Sequence, residues 1–90
     1  MQSILIVLFA HWCPKCSMMM PVVDEIEQTY KDQLKVVRVD IEKESELAKD
    51  YGIQVVPTFV IMKENEEVVR MAGIIGEKIL KERIDTAIGN

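Results

Sequence analysis

Apolar residues run unbroken from Ile4 to Ala10, a β-branched, leucine-rich and aromatic run with no polar alternation. Such a run predicts a central strand over Ser3–Phe9, covered by other elements on both faces. The period then changes. Met19, Val22, Val23, Ile26 and Tyr30 recur at helical spacing, which predicts a helix from Pro14 to Tyr30 with one apolar stripe. Pro14 suits the first helical position, where its missing N–H costs nothing. Pro21, inside the same span, should kink the helix. The consecutive methionines Met18, Met19 and Met20 read as adaptable filling for the core.

Valines at 36, 37 and 39 mark a second strand over Leu34–Asp40. Glu44–Tyr51 is expected as a short helix with Leu47, Ala48 and Tyr51 turned inward, and Gly52 as its left-handed cap. Ile53 to Val56 leads extended into Pro57. Thr58–Met62 and Glu67–Ala72 flank the polar turn Lys63–Glu66 and predict a hairpin. Gly73 and Gly76 punctuate the exit from it. A last helix over Glu77–Ile88 should bury Leu80, Ile84, Ala87 and Ile88. The order β-α-β-α-β-β-α predicts an α/β fold: one central four-stranded mixed sheet flanked by three helices. Its first two strands should be parallel, with a right-handed crossover, and its last two antiparallel.

Ninety residues make one domain over 1–90 with a modest core. The net charge of −4 argues against a general nucleic-acid binder, which needs a basic surface. The first apolar run is too short to span a bilayer. No lysine or arginine precedes it, and Leu8 spoils the small-x-small pattern of a cleavage site ending at Ala10. A cytoplasmic protein without membrane contact is expected. Two cysteines are too few for a disulfide-dense secreted scaffold.

Those two cysteines carry the chemistry. They stand two residues apart in Trp12-Cys13-Pro14-Lys15-Cys16, between the first strand and the first helix. Strand, Cys-x-x-Cys turn and helix in that order suit disulfide exchange. The reactive species is the thiolate, and a free thiol near pKa ~8.5 offers little of it at neutral pH. Cys13 falls at a helix N-terminus, where unpaired N–H groups and the helix dipole favour an anion. Lys15 adds a positive charge, and His11 adds another when protonated. Cys16 lies one turn later, within reach of Cys13 and deeper in the fold. Cys13 would attack a partner disulfide, and Cys16 would then resolve the mixed disulfide. A second reading stays open: a zinc or iron–sulfur site shared by two chains, since one chain lacks the four ligands of a closed site. A third is an interaction module with the fold but not the activity.

The chain resembles thioredoxin. Phe9-Ala10-His11-Trp12-Cys13-Pro14-Lys15-Cys16 is similar to the family's F-W-A-x-W-C-G-P-C segment, and Pro21 falls at its helix-kinking proline. Val36 to Glu42 resembles V-x-K-V-D-x-D, Tyr51 to Thr58 resembles Y-G-I-x-x-x-P-T, and Gly73 matches the glycine after the last strand. The resemblance implies a cis Val56–Pro57 bond beside the cysteines. It also implies an apolar groove of Trp12, Val56, Pro57, Gly73 and Ile74 that holds a substrate strand by β-augmentation. It further implies a monomer with no bound cofactor, acting on protein disulfides. The electrons would come from a thioredoxin-reductase-like or small-thiol donor.

Three departures stand out. The family's extra N-terminal strand and helix are absent from this sequence. Pro14-Lys15 replaces Gly-Pro between the cysteines, closer to glutaredoxin and oxidant-type motifs. Val7 replaces the buried acid thought to assist proton transfer at the second cysteine. Arg38 takes the place of the family's strand lysine and is read as an exposed strand charge. A glutathione-coupled, glutaredoxin-like role is the remaining alternative. The apolar stretch Ala72-Gly73-Ile74-Ile75-Gly76-Glu77 lacks that family's Gly-Gly and acidic turn, so protein disulfides are the expected substrates.

Overall fold

The computed structural model describes residues 2–89. Its elements are β1 (Ser3–Phe9), α1 (Pro14–Thr29), β2 (Leu34–Asp40), α2 (Ser45–Asp50), β3 (Thr58–Lys63), β4 (Glu66–Ala72) and α3 (Glu77–Ile88). They form one four-stranded sheet in the order β2-β1-β3-β4. β1 runs parallel to β2, from Ser3 opposite Leu34 to Phe9 opposite Asp40, and antiparallel to β3. β3 and β4 form the antiparallel hairpin, with a register irregularity at Ile61/Met62. The expected β-α-β-α-β-β-α fold is the observed one.

β1 is central because both of its faces are apolar. Leu5 and Val7 point into one core with Met19, Val23 and Ile26 of α1, Phe59 and Ile61 of β3, and Leu80 and Ile84 of α3. Ile6 and Leu8, the alternate residues, point into a second core with Val39, Val60 and Ala48. Period-2 side-chain alternation on a strand without polar positions therefore fills two layers at once. Truncating a fully buried ring such as Phe59 would cost about 3–5 kcal/mol.

The helices depart from expectation in detail. Met19 is buried and Met20 half-buried, but Met18 is 62% exposed. Consecutive residues on a helix are about 100° apart, so three in a row cannot all face one core. Val22 is only partly buried and Tyr30 is the C-cap of α1 rather than its last turn. Pro21 sits inside α1 without ending it. Both Pro21 and Ser17, whose carbonyl loses its amide partner, are exposed, so water can satisfy that carbonyl. In α2 only Ala48 is buried; Leu47 is exposed and Tyr51 half-buried just beyond the helix. Gly52 takes the left-handed conformation, φ +63°, and its N–H closes on the Lys49 carbonyl at 2.9 Å. Arg38 is not a free strand charge. Its guanidinium reaches from β2 to Asp24 (2.8 Å) and Glu27 (3.1 Å) on α1.

Candidate active site

The site forms where β1 delivers the chain to α1. After Phe9 the chain turns through Ala10, whose carbonyl accepts from the Cys13 N–H at 3.3 Å. Cys13 is the N-cap of α1, extended at φ −96° and ψ 110°, and Pro14 follows at the first helical position. The Cys16 N–H donates to the Cys13 sulfur at 3.2 Å. The sulfur thus occupies the place that a serine or aspartate oxygen takes in an ordinary N-cap. Cys13, Cys16 and Ala10 are buried together, flanked by Phe9, Ile41 and Val56. Both cysteines are free thiols.

The two thiols are driven apart in acidity. Burial pushes the Cys13 thiol up. Against it act a hydrogen bond from the Cys16 thiol, the N–H groups of Cys16 and Lys15, and the Lys15 charge; the balance lies below the ordinary thiol value. Cys16 goes the other way. Burial and its hydrogen bond to Cys13 push it up to about 11. The surroundings therefore favour the thiolate at Cys13 more than at an ordinary thiol and hold Cys16, one turn later, as a thiol.

The loop before β3 closes the site. The Val56–Pro57 peptide bond is cis, and the Cys13 thiol lies 3.7 Å from the Val56 carbonyl. The Thr58 hydroxyl, almost wholly buried, holds the Val55 carbonyl at 2.7 Å. The Gly73 N–H donates to the Pro57 carbonyl at 2.9 Å and brings the end of β4 beside the loop. Gly73 has φ +86° with open space where a Cβ would stand, so its backbone conformation, not crowding, is what calls for glycine. Trp12, Val55 and Ile74 are all more than half exposed around this edge. A shallow cavity of about 160 Å³ lies between Trp12, Ile41, Ile53, Gln54, Val55 and Val56.

Most of the expected residues meet here: Cys13, Cys16, Pro14 and Lys15 in the turn, Val56 and Pro57 against it, Gly73 behind Pro57. Trp12 and Ile74 are exposed at the rim. His11 is turned toward Asp40. Its Nε2 lies 3.0 Å from Asp40 Oδ2, its ring stands edge-on to Phe9, and it is not among the groups that lower Cys13. Asp40 and Val55 escaped the sequence reading. Asp40 reads there as the polar end of a strand, and only the pairing of Phe9 with Asp40 reveals what it faces. Among the described residues no cluster of three or more His, Cys, Asp or Glu could hold a metal.

Comparison with known proteins decides the family. The sequence model of the family described as Thioredoxin matches residues 1–86. The chain belongs to the thioredoxin family. It is 39% identical to Thioredoxin 1 of Synechococcus elongatus, over 91% of this chain and 77% of that protein. It is 35% identical to the chloroplastic Thioredoxin Y1 of Arabidopsis thaliana, over 97% of this chain. The match spans only 51% of that longer relative. Among solved structures it is similar to the germline-specific thioredoxin Deadhead of Drosophila melanogaster. The TM-score is 0.88 at 27% identity, over 94% of this chain and 80% of that one. The thioredoxin fold is thus present with four strands and three helices. No helix among the described residues is long and apolar enough to cross a membrane.

Proposed function

We propose that this thioredoxin-family chain is a thiol–disulfide oxidoreductase that reduces protein disulfides through Cys13 and Cys16. The observation that carries the reading is the N-cap sulfur of Cys13, 3.2 Å from the Cys16 N–H. The Cys13 thiolate attacks one sulfur of a substrate disulfide. A Cys13–substrate bond forms, and the other substrate sulfur leaves as thiolate. Cys16 gives up its proton and attacks the Cys13 sulfur. The Cys13–Cys16 bond forms, the second substrate sulfur leaves, and the pair has passed two electrons to the substrate. The extended backbone at Val56 and Pro57 offers the pairing edge for a substrate strand, and Trp12 and Ile74 flank it with apolar surface. A thioredoxin-reductase-like or small-thiol donor returns the pair to the dithiol, and a reducing compartment such as the cytoplasm suits that cycle.

The test uses two variants and a protein disulfide substrate such as insulin. Cys13→Ser should abolish reduction and form no adduct. Cys16→Ser should accumulate a mixed disulfide, visible as a mass adduct that dithiothreitol removes. Unchanged reduction by Cys13→Ser would overturn the reading.

A further inference from the structure

Cys16 must lose a proton before it can attack, yet it is 1% exposed and its acidity is suppressed, to about 11. Val7, on the strand that leads into the cysteine turn, is a fully buried apolar side chain. It can accept no proton. What Cys16 does adjoin is a cavity of about 250 Å³ lined by Phe9, Ala10, His11, Cys16, Ser17 and Met20. Of the other five side chains only the His11 imidazole carries a nitrogen base that can accept a proton. The space has room for several waters at about 30 Å³ each, which could link the thiol to the ring.

We propose that His11, positioned by Asp40, accepts the proton of Cys16 during resolution of the mixed disulfide. The inference rests on the thiol–disulfide reading and adds a residue to it. Asp40 is 7% exposed at the end of β2. The Glu42 N–H holds its carboxyl below the usual range. Burial opposes this, while the Lys43 N–H and charge, and the His11 ring when it is protonated, reinforce it. Asp40 is thus a carboxylate, an acceptor only, so the His11 Nε2 at 3.0 Å carries a hydrogen. Nδ1 has no partner among the described residues and is the nitrogen free to take another. The charge that then forms on the ring faces Asp40. Lys43, in the turn after β2, is the other charged side chain that bears on the pair, and Cys16 of α1 lines the cavity beside His11.

The step balances. The Cys16 proton passes through water to His11 Nδ1, the Cys13–Cys16 bond forms, and the Cys13–substrate bond breaks. The leaving thiolate departs with the electron pair, and the ring returns its proton to that thiolate or to bulk water. With 71% of its side chain exposed, His11 can reach both the cavity and solvent.

Rapid mixing of the reduced protein with dithiobis-nitrobenzoate tests this. Each thiol step releases one coloured thiolate: the first reports attack by Cys13, the second resolution by Cys16. In His11→Gln the second phase should slow relative to the first by about 100-fold near neutral pH, the low end for a positioned proton acceptor. It should recover as the pH approaches the titration of Cys16 itself, about 11. Asp40→Asn, which keeps an oxygen for the Glu42 and Lys43 amides, should slow the second phase by a smaller factor. A His11→Gln variant whose second phase keeps the parent rate ratio and pH profile would overturn the proposal. A parent protein that releases no second equivalent would overturn the oxidoreductase reading itself, and the inference with it.

Discussion

Two sulfurs on one turn of helix have opposite acidities because they see opposite surroundings. Cys13 sits where backbone N–H groups converge and Lys15 adds charge; Cys16 sits inside, away from water. Lys15 is the one charged contributor, and it can be changed without touching the backbone or the second thiol. In Lys15→Glu the attraction becomes repulsion, and less Cys13 is thiolate at neutral pH. The rate of alkylation by iodoacetamide at pH 7 should fall roughly two- to fivefold, the range of an exposed charge effect. It should match the parent once the pH exceeds the titration of Cys13 in both proteins. An unchanged rate at pH 7 would mean that the Cys16 thiol and the backbone N–H groups set the acidity without the Lys15 charge. The cysteines were legible because their spacing and place in the chain carry their chemistry. The partnership of His11 with Asp40 was not, because it depends on which residues of β1 and β2 face each other across the sheet.

At the level of elements, the hairpin shows how a turn is set by its ladder. The sequence suggests a four-residue polar turn, Lys63–Glu66. In the structure Lys63 pairs with Glu66, and the loop is only Glu64 and Asn65, at φ 54° and 68°. Two consecutive positive φ values define a type I′ turn, whose twist matches that of the strands. Glutamate is poorly suited to the left-handed region, and asparagine followed by glycine is the preferred pair. Glu64→Asn with Asn65→Gly should therefore stabilise the fold by about 1 kcal/mol, read as a higher urea midpoint at unchanged slope. A lower midpoint would show that the lost Glu64 side chain mattered more than the backbone. β1 and α3 were legible because a continuous apolar run and a clean helical stripe each admit one reading. α2 was legible only as a helix. Six residues give too few positions for a stripe, so its inward face is set by the sheet beneath.

Over the whole molecule, the layer of helices is locked at a point far from the cysteines in sequence. Tyr30, at the C-cap of α1, donates to Asp85 Oδ1 on α3 at 2.7 Å. Burial and the Asp85 carboxylate, as hydrogen-bond acceptor and as charge, push its phenol up to about 12. The sign of the linkage follows from which form the fold prefers. The folded state favours the neutral phenol, so its contribution is fully present below the unfolded value near 10 and is lost as the pH rises toward 12. Tyr30→Phe keeps the ring and removes the bond, and should cost about 1 kcal/mol at neutral pH. Urea unfolding at a series of pH values checks both parts. The gap between parent and variant should stay constant up to about pH 10, then shrink as the unfolded phenol ionises while the folded one resists. A gap that stays constant through pH 11 would mean that Tyr30 titrates alike in both states. A gap near zero at neutral pH would mean that the α1–α3 contact is held by its apolar neighbours, Ile26 and Ile84 among them, without the hydroxyl.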